Sequence, residues 1–428
     1  MYHPVEISML NFFQSVFSFL FYFFDLMDII DGLSQKDKWE EFLSYRQSSR
    51  RMSKEEIRLW REFIDSGRFL VTASEIKEES YMPPLPHKME INKTGSTKKR
   101  IVYSYPDDLC RILKFICYAL YRYDGYFSAD CYAFRPDLSA RDALPLIYKA
   151  VRGSQVYSLK ADISDYFNSI DTAKLLSRLS FLKKDDQRLY TLFEKMLTAD
   201  KAIDSAGNTV EMKRGAMAGI PVAPFFANVY LTETDRFFED KDLLYMRYSD
   251  DILICAGSRE KLENAKEALF ERLEADGLKL NMSKLNTYGP GDPIEYLGFA
   301  ISEDCIDIST MTMTKLKDKM RRKAHALRRW CTGRKLPPER GAKGFITAMN
   351  HKLYVHSEDD TFSWSRWFFP NITTDKSLKE LDAYMQQYVR WCVSGRHYKG
   401  NYRISYEDMK KWGYKSLVHE YYRGAGKS

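Results

Sequence analysis

Between residues 51 and 310 the spacing of apolar positions changes period again and again. "SKEEIRLWREFIDSG" (53–67) repeats them every three or four residues, opens on Ser53 with Glu56 three residues later, and closes on Gly67. That predicts a helix with a capping box and a glycine stop. "LCRILKFICYALYRY" is helical by the same spacing. "QVYSLKADISDYF" instead alternates, which predicts a strand from about Tyr157 to Asp162. "KTGSTKKRIVYSY" reads as a hairpin entering a strand, and "GIPVAPFFANVYLTETDRFFE" as a proline-broken loop that becomes an amphipathic helix. The β-prone runs "LLYMRY" and "ILICA" flank a very short polar break, the pattern of a tight hairpin. A charged helix ("SREKLENAKEALFERLEADG") and short strands around "IEYLGFAIS" follow. From Met313 onward the chain is mainly helical and basic. Strands and helices mix without a βαβ rhythm, which predicts an α+β fold.

The N-terminus departs from this. Ser8 to Phe24 is seventeen uncharged residues, eight of them aromatic, at the short limit for a spanning helix. It contains Asn11, Gln14, Ser15 and Ser18, with no Lys or Arg before it. A packing or oligomer-forming helix is the first reading, a membrane anchor the second, a secretory signal the last. An overextended start is a further one, since Met27 opens a soluble-looking sequence.

Composition changes the picture in two places. Charged residues are 29% and hydrophobic ones 44%, so the chain is globular and long enough for two or three subdomains. Seven scattered cysteines without a CxxC pair argue against a zinc site or disulfide framework and suit a reducing cytoplasm. The net charge is +7, but Lys315 to Lys335 alone holds ten Lys/Arg against one Asp, so all the excess positive charge sits in one stretch.

The polar break in the hairpin is Asp250-Asp251, one of four Asp-Asp pairs. Asp107-Asp108 suits the first turn of a helix. Asp185-Asp186 and Asp359-Asp360 read as solvated surface. Asp130, Asp165 and Asp171 read as caps or surface acids. Two carboxylates at a buried hairpin tip repel each other and lose solvation, and a cation removes both problems. Asp162, at the end of its strand, is a third carboxylate able to face the pair. Three such groups can hold two divalent ions roughly 3.5–4 Å apart, one activating a hydroxyl and the other stabilising a leaving phosphate.

These residues resemble a family. Asp162-Ile-Ser-Asp-Tyr-Phe167 is similar to the first palm motif of reverse transcriptases, and Tyr248-Ser-Asp-Asp251 to their Tyr-x-Asp-Asp box. "SADCYAFRPDLSARDAL" (128–144) resembles the segment that group II intron and related bacterial enzymes carry before the palm. "GLKLNMSKLNTY" and "YLGFAI" resemble later palm motifs, and "NKTGSTKKRIV" the fingers hairpin. One four-residue motif is a weak signal; six in order across Ile91 to Ile301 are a strong one. One departs: where the family has Gly-x-Pro-Gln-Gly, this chain has Gly215-Ala-Met-Ala-Gly219, so Met217 and Ala218 replace Pro and Gln. Such departures, and the ending "WGYKSLVHEYYR", resemble the bacterial "unknown group" enzymes, which include defence-associated and abortive-infection members.

The resemblance implies a right-hand polymerase: an N-terminal extension over 1–50, fingers over 51–155, a palm over 156–308, and a basic helical thumb and C-terminal region over 309–428. It implies that Asp162, Asp250 and Asp251 hold two Mg²⁺ ions, with Mn²⁺ able to substitute. Lys93 and Arg100 then meet the triphosphate, Phe167 excludes a 2′-hydroxyl, Tyr248 packs near the primer end, and Lys284 protonates the leaving pyrophosphate. Arg321, Arg322, Arg328 and Arg329 grip the duplex backbone. The implied partners are a non-coding RNA template, a DNA product and dNTPs, with a homo-oligomer open and a membrane not expected. The setting is cytoplasmic antiviral defence in a bacterium. No nuclease, integrase, protease or RNase H motif is seen. Template-independent or protein-primed synthesis, an RNA-binding maturase and an RNA replicase are the alternatives.

Overall fold

The computed structural model describes residues 28–49, 52–92, 99–212, 215–354 and 363–424. The chain divides into two units. The first comprises Met1–Ser139, Ala161–Ile254 and Glu260–Asn286; the second Ala140–Lys160, Cys255–Arg259 and Thr287–Ser428. The aromatic stretch Ser8 to Phe24 lies outside the described residues, and among those described no helix is long and apolar enough to cross a membrane.

In the first unit, β1 (His87–Asn92) and β2 (Lys99–Ser104) form the expected antiparallel hairpin, with Ile91 opposite Arg100. Strand β3 (Tyr157–Asp162) appears where alternation placed it. The short strands β4 (Lys201–Ile203) and β5 (Thr209–Glu211) extend the first hairpin to the order β2-β1-β4-β5. Strands β6 (Leu244–Tyr248) and β7 (Asp251–Ala256) flank the two-residue turn Ser249-Asp250. With β3 and β8 (Asn286–Tyr288) they make a sheet of order β6-β7-β3-β8. The ends of this sheet that carry Asp162, Ser249 and Asp250 belong to the first unit.

The helical part of this unit is built around Trp39. Its ring lies 5.4, 5.1 and 4.5 Å from those of Phe63, Phe69 and Phe115. Its indole N–H donates to the Leu33 carbonyl at 2.9 Å, so the polar edge is satisfied inside an apolar cluster. Residues 28–49 therefore share one core with helices Lys54–Asp65, Phe69–Lys77 and Asp107–Ala119. Ser53 caps the first of these three, accepting from the Glu56 amide at 2.9 Å. Asp107 and Asp108 fall in the first turn of the last, as expected. Asp186 does not lie on solvated surface: it is buried, caps helix Gln187–Leu197 through the Leu189 amide, and accepts from the Ile30 amide at 3.0 Å. Polar neighbours in sequence hid a carboxylate whose partners include a backbone donor 156 residues away. Asp359-Asp360 lies outside the described residues.

Below the hairpin turn sits an ion pair closed to water. The Arg247 and Asp235 side chains are 0% and 1% exposed, and Arg247 Nη2 donates to Asp235 Oδ2 at 2.6 Å. Nε adds a bond to Oδ1 at 2.7 Å, and Tyr245 donates its hydroxyl to the same oxygen at 2.8 Å. Arg247 Nη1 reaches the Asn228 amide oxygen and the Ser249 carbonyl, both at 3.3 Å. The ion pair thus joins β6 to helix Ala223–Glu239 and touches the turn itself. Main-chain bonds from Arg247 N to Asp130 O and from Tyr132 N to Arg247 O, each 2.9 Å, bring in the segment around Cys131.

The second unit contains a three-stranded sheet, β9 (Ile294–Tyr296), β10 (Phe299–Ile301) and β11 (Ile306–Ile308), in the order β11-β10-β9. The long helices Thr310–Gly333, Pro338–Tyr354 and Lys376–Ser394 pack on buried Leu316, Met320, Phe345, Leu381 and Met385. Asp382, buried on the last helix, accepts from the Tyr414 hydroxyl, the Ser416 hydroxyl and the Leu417 and Val418 amides at 2.6–3.1 Å. The ending "WGYKSLV" is thereby an anchor: its polar groups satisfy one buried carboxylate.

Asp235→Ala is expected to destabilise the chain by about 3–5 kcal/mol, because it leaves the Arg247 guanidinium buried without its counterion. The double change Asp235→Leu with Arg247→Met is expected to recover most of that loss in urea unfolding. Losses that simply add would show that the two charges are not coupled.

Candidate active site

Asp162 closes β3 with its side chain almost wholly covered, 9% exposed. Its carbonyl accepts from the Asn281 amide at 2.7 Å, and its Oδ2 accepts from Lys284 Nζ at 2.6 Å. Ser249 holds φ at +62°, which lets the turn reverse within two residues. The Asp250 carbonyl then accepts from the Ile163 amide at 3.0 Å. That bond ties the hairpin tip to the residue directly after Asp162. Burial raises the Asp250 pKa above the ordinary carboxylate value, and the Asp162 charge raises it further; Lys284 and Arg100 oppose this. The two carboxylates therefore feel each other, with both cations inside the same field. Asp251 opens β7 half-buried. Tyr248 closes β6, and burial raises its phenol pKa.

Among the described residues no three His, Cys, Asp or Glu side chains converge as a ready metal cluster. What is assembled is a pair, Asp162 and Asp250, with Asp251 adjacent in sequence. These are hard oxygen donors whose repulsion Lys284 only partly offsets, a donor set that fits Mg²⁺ and not a soft metal. The Lys284 ammonium stands on Asp162 Oδ2, where a cation would bind.

The remaining expected residues divide by unit. In the first, Arg100 is exposed on β2, and Lys93 lies outside the described residues. Phe167 is half-buried in the short helix Tyr166–Ser169, its ring 6.3 Å from Phe134, edge to face. Phe134 is 45% exposed and sits at φ +61°, a strained conformation for a bulky residue. In the second unit, the four expected arginines have different surroundings. Arg321 pairs with Asp318 at 2.9 Å, and Arg328 donates to the carbonyls of Cys392 and Val393 at 3.0 and 3.1 Å. Arg322 and Arg329 are exposed.

The loop that departs from the family pattern is held on both sides. A Cβ on Gly215 would lie 2.7 Å from Asn168 Cα, and one on Gly219 would lie 2.7 Å from the Tyr103 carbonyl oxygen. Both glycines have positive φ, +144° and +108°, so neither position accepts a side chain. Between them the Ala216 amide donates to the Phe167 carbonyl and the Tyr103 amide to the Ala218 carbonyl, each at 2.7 Å. Met217 is buried and accepts from the Tyr105 hydroxyl at 3.5 Å. The position where the family has Pro has become a core contact here.

Several supporting residues carried no signal for a role. Asn281 lies within "GLKLNMSKLNTY", yet only the fold shows its amide beneath Asp162. Arg135, in "YAFRP", makes a charge pair with Asp124 and donates to the Ser128 and Cys131 carbonyls at 2.8 and 3.1 Å, pinning the segment that Arg247 also holds. Asp171 is a cap, accepting from the Ala173 and Lys174 amides, as expected. Asp130 is instead half-buried, and burial together with Glu239 and Asp235 lifts its carboxyl to about 6.

Known proteins are similar to this chain over part of its length. Residues 91–301 match the family described as "Reverse transcriptase (RNA-dependent DNA polymerase)". The chain is 29% identical over 167 residues to an "Uncharacterized 91 kDa protein in cob intron" of Schizosaccharomyces pombe, covering 39% of this chain and 20% of that protein. It is 27% identical over 106 residues to the "Retron Ec86 reverse transcriptase" of Escherichia coli, covering 24% and 33%. It is 26% identical over 179 residues to the "Group II intron-encoded protein LtrA" of Lactococcus lactis subsp. cremoris, covering 41% and 29%. The chain thus spans a fifth to a third of these curated relatives. Among solved structures, an apo telomerase from Candida Tropicalis superposes with a TM-score of 0.42 at 13% identity, over 52% of this chain and 55% of that one. Residues 91–301 thus carry a reverse-transcriptase-type domain, and the α+β architecture with its antiparallel sheets is that of a right-hand polymerase.

Asp250→Asn is expected to abolish nucleotide incorporation in primer extension without lowering the melting temperature in chelator, because it removes a carboxylate that repels Asp162. Wild-type extension by this variant would remove Asp250 from the site.

Proposed function

We propose that this chain is an RNA-directed DNA polymerase that copies a dedicated non-coding RNA into DNA, in the cytoplasm of a bacterium, as part of antiviral defence. The observation that carries the chemistry is the joining of Asp162 and Asp250 through the Ile163–Asp250 backbone bond, with Lys284 and Arg100 in the same field. Asp162, Asp250 and Asp251 would hold divalent cations, Mg²⁺ by donor chemistry; when bound, these supply charge stabilisation to a nucleotidyl transfer.

The chain's own residues do the rest. Asn281 and the Ile163 amide fix the strand end and the turn, so the carboxylates need little reorganisation. Arg100 offers a planar fork of donors for the triphosphate, and Lys93 is assigned beside it by sequence. Lys284, already on Asp162, is placed to carry a proton to a leaving pyrophosphate. Phe167, whose ring meets that of Phe134 edge to face, would present its ring to the sugar and exclude a 2′-hydroxyl. Tyr248 packs by the primer end. The cations of helix Thr310–Gly333 take phosphate backbone.

One observation favours a second reading. With Met217 buried against Tyr105 and no Gln in the 215–219 loop, that loop offers no side-chain amide to a template. Synthesis without a template, from a primer or a protein hydroxyl, follows from the same site.

Phe167→Ala is expected to raise the ratio of rNTP to dNTP incorporation by an order of magnitude or more, read in single-nucleotide extension. An unchanged ratio would make Phe167 a packing residue only. Purification with flanking DNA from the native host, followed by separate sequencing of bound RNA and new DNA, tests the substrate. One abundant RNA with complementary DNA, absent from the Asp250→Asn variant, is the expected result. Homopolymer or random DNA with no matching RNA would establish the untemplated reading.

A further inference from the structure

One aromatic ring in the first unit is held where its own chemistry does not favour it. Phe134 has φ at +61°, a region that bulky side chains rarely adopt, and it is 45% exposed. Its neighbours hold the backbone there. The Ala133 carbonyl accepts from Asn228 Nδ2 at 2.8 Å, and the Tyr132 amide donates to the Arg247 carbonyl at 2.9 Å. After Phe134, Arg135 pairs with Asp124 and donates to the Ser128 and Cys131 carbonyls, and Pro136 disfavours a helical Arg135. Cys131, Tyr132 and Ala133 are buried, so a shift of this segment would break bonds inside the core. Asn228 also accepts from Arg247 Nη1 at 3.3 Å, and the same Nη1 reaches the Ser249 carbonyl. The clamp on Phe134 and the support of the Asp250 turn therefore share two side chains.

Backbone strain and exposed apolar surface both cost stability, and strain persists where the surrounding structure over-determines it. Packing does not hold this ring. Phe134 lines an apolar cavity of about 140 Å³ with Cys117, Leu120, Phe127 and Phe225, which leaves it room to turn. What the backbone fixes is the approach of the ring to Phe167. The two centroids are 6.3 Å apart and the planes 75° apart, the edge-to-face arrangement that aromatic pairs prefer. Phe167 also meets Tyr166 at 5.7 Å, and Tyr166 is buried with its hydroxyl donating to the Ala227 carbonyl. The Phe167 carbonyl accepts from the Ala216 amide at 2.7 Å. The main chain of Phe167 is thus tied, and its ring has one fixed neighbour in Tyr166 and a second in Phe134.

We propose that Phe134 is a positioning residue for sugar selection: its strained backbone holds its ring against Phe167, and the pair together set the space left at the 2′ position of an incoming nucleotide. This rests on the reading of Phe167 as the residue that meets the sugar. Phe134 acts through the Phe167 ring and not by its own contact with the nucleotide. Without the Phe134 ring, Phe167 can turn into the vacated space, and a ribose hydroxyl finds room.

Single-nucleotide extension of a primed RNA template by the full chain gives kcat and KM for rNTP and dNTP separately. Phe134→Ala is expected to raise the ratio of rNTP to dNTP incorporation about three- to tenfold, chiefly through a lower rNTP KM, which is the size of one aromatic pair. Phe134→Tyr keeps the ring and is expected to keep the wild-type ratio. In the Phe167→Ala background, Phe134→Ala is expected to change the ratio no further, because the ring it positions is gone. Melting temperatures read the strain without any nucleotide. Phe134→Gly is expected to melt at or above Phe134→Ala, the reverse of the usual order, since glycine accepts a positive φ. The proposal is overturned by an unchanged ratio in Phe134→Ala, including one in which both nucleotides slow equally, which would make Phe134 a packing residue. It is also overturned if Phe134→Tyr behaves as Phe134→Ala does, if the two alanine changes add, or if Phe134→Gly melts below Phe134→Ala. No extension by the wild-type chain defeats the polymerase reading and this proposal with it. A ratio that Phe167→Ala changes and Phe134→Ala does not leaves that reading standing and defeats the proposal alone.

Discussion

The burial of one guanidinium sets the conditions for the rest of the site. Arg247 lies two residues from the hairpin tip with no contact to water, so its charge has to be answered by protein. Asp235 answers it with two bonds, and Tyr245, Asn228 and the Ser249 carbonyl complete the shell. Each partner comes from an element that must then stay in place: helix Ala223–Glu239, strand β6 and the turn. The carboxylates are thus presented by a turn whose underside cannot move without exposing an unpaired charge. Such a pair contributes little to net stability and much to position.

On that support two carboxylates are held near each other at some cost. The Ile163–Asp250 and Asn281–Asp162 backbone bonds bring the strand end and the turn together whatever the side chains prefer. The resulting repulsion adds to burial in raising the Asp250 pKa. Lys284 offsets part of it in the free chain, and a divalent cation would offset more. Like charges also crowd around Lys319, where burial, Lys352 and Arg322 lower the ammonium pKa.

The 215–219 loop shows a different compromise. Its glycines are forced by contacts of 2.7 Å with backbone on either side, so they record the geometry of the loop itself. Met217 and Ala218 record what this chain does within it. At the position of the family's Pro a thioether turns inward to Tyr105, and at the position of its Gln stands Ala218. The loop keeps its shape and loses a polar group, which separates the positioning of β2 against the Phe167 turn from any reading of a template.

The sequence alone determined the elements and the chemistry that local pattern carries. The β3 strand, the Asp250 turn, the Ser53-capped helix and the α+β mixture follow from period, caps and turn residues, which act within a few positions. The aspartates stood out because two adjacent charges in the middle of an apolar run are costly unless a turn exposes them or a cation neutralises them. Only the tertiary structure decided the partners. It moved Asp186 from expected surface to a buried cap that also holds the Ile30 amide. It put residues 28–49 in the core around Trp39, and it distributed the basic stretch among paired, structural and exposed positions. It also revealed Asp235, Asn228, Asn281 and Arg135 as supports. These depend on groups about ten to more than a hundred residues away in sequence, and no local pattern encodes a hydrogen bond whose other half is set by the packing of a different element.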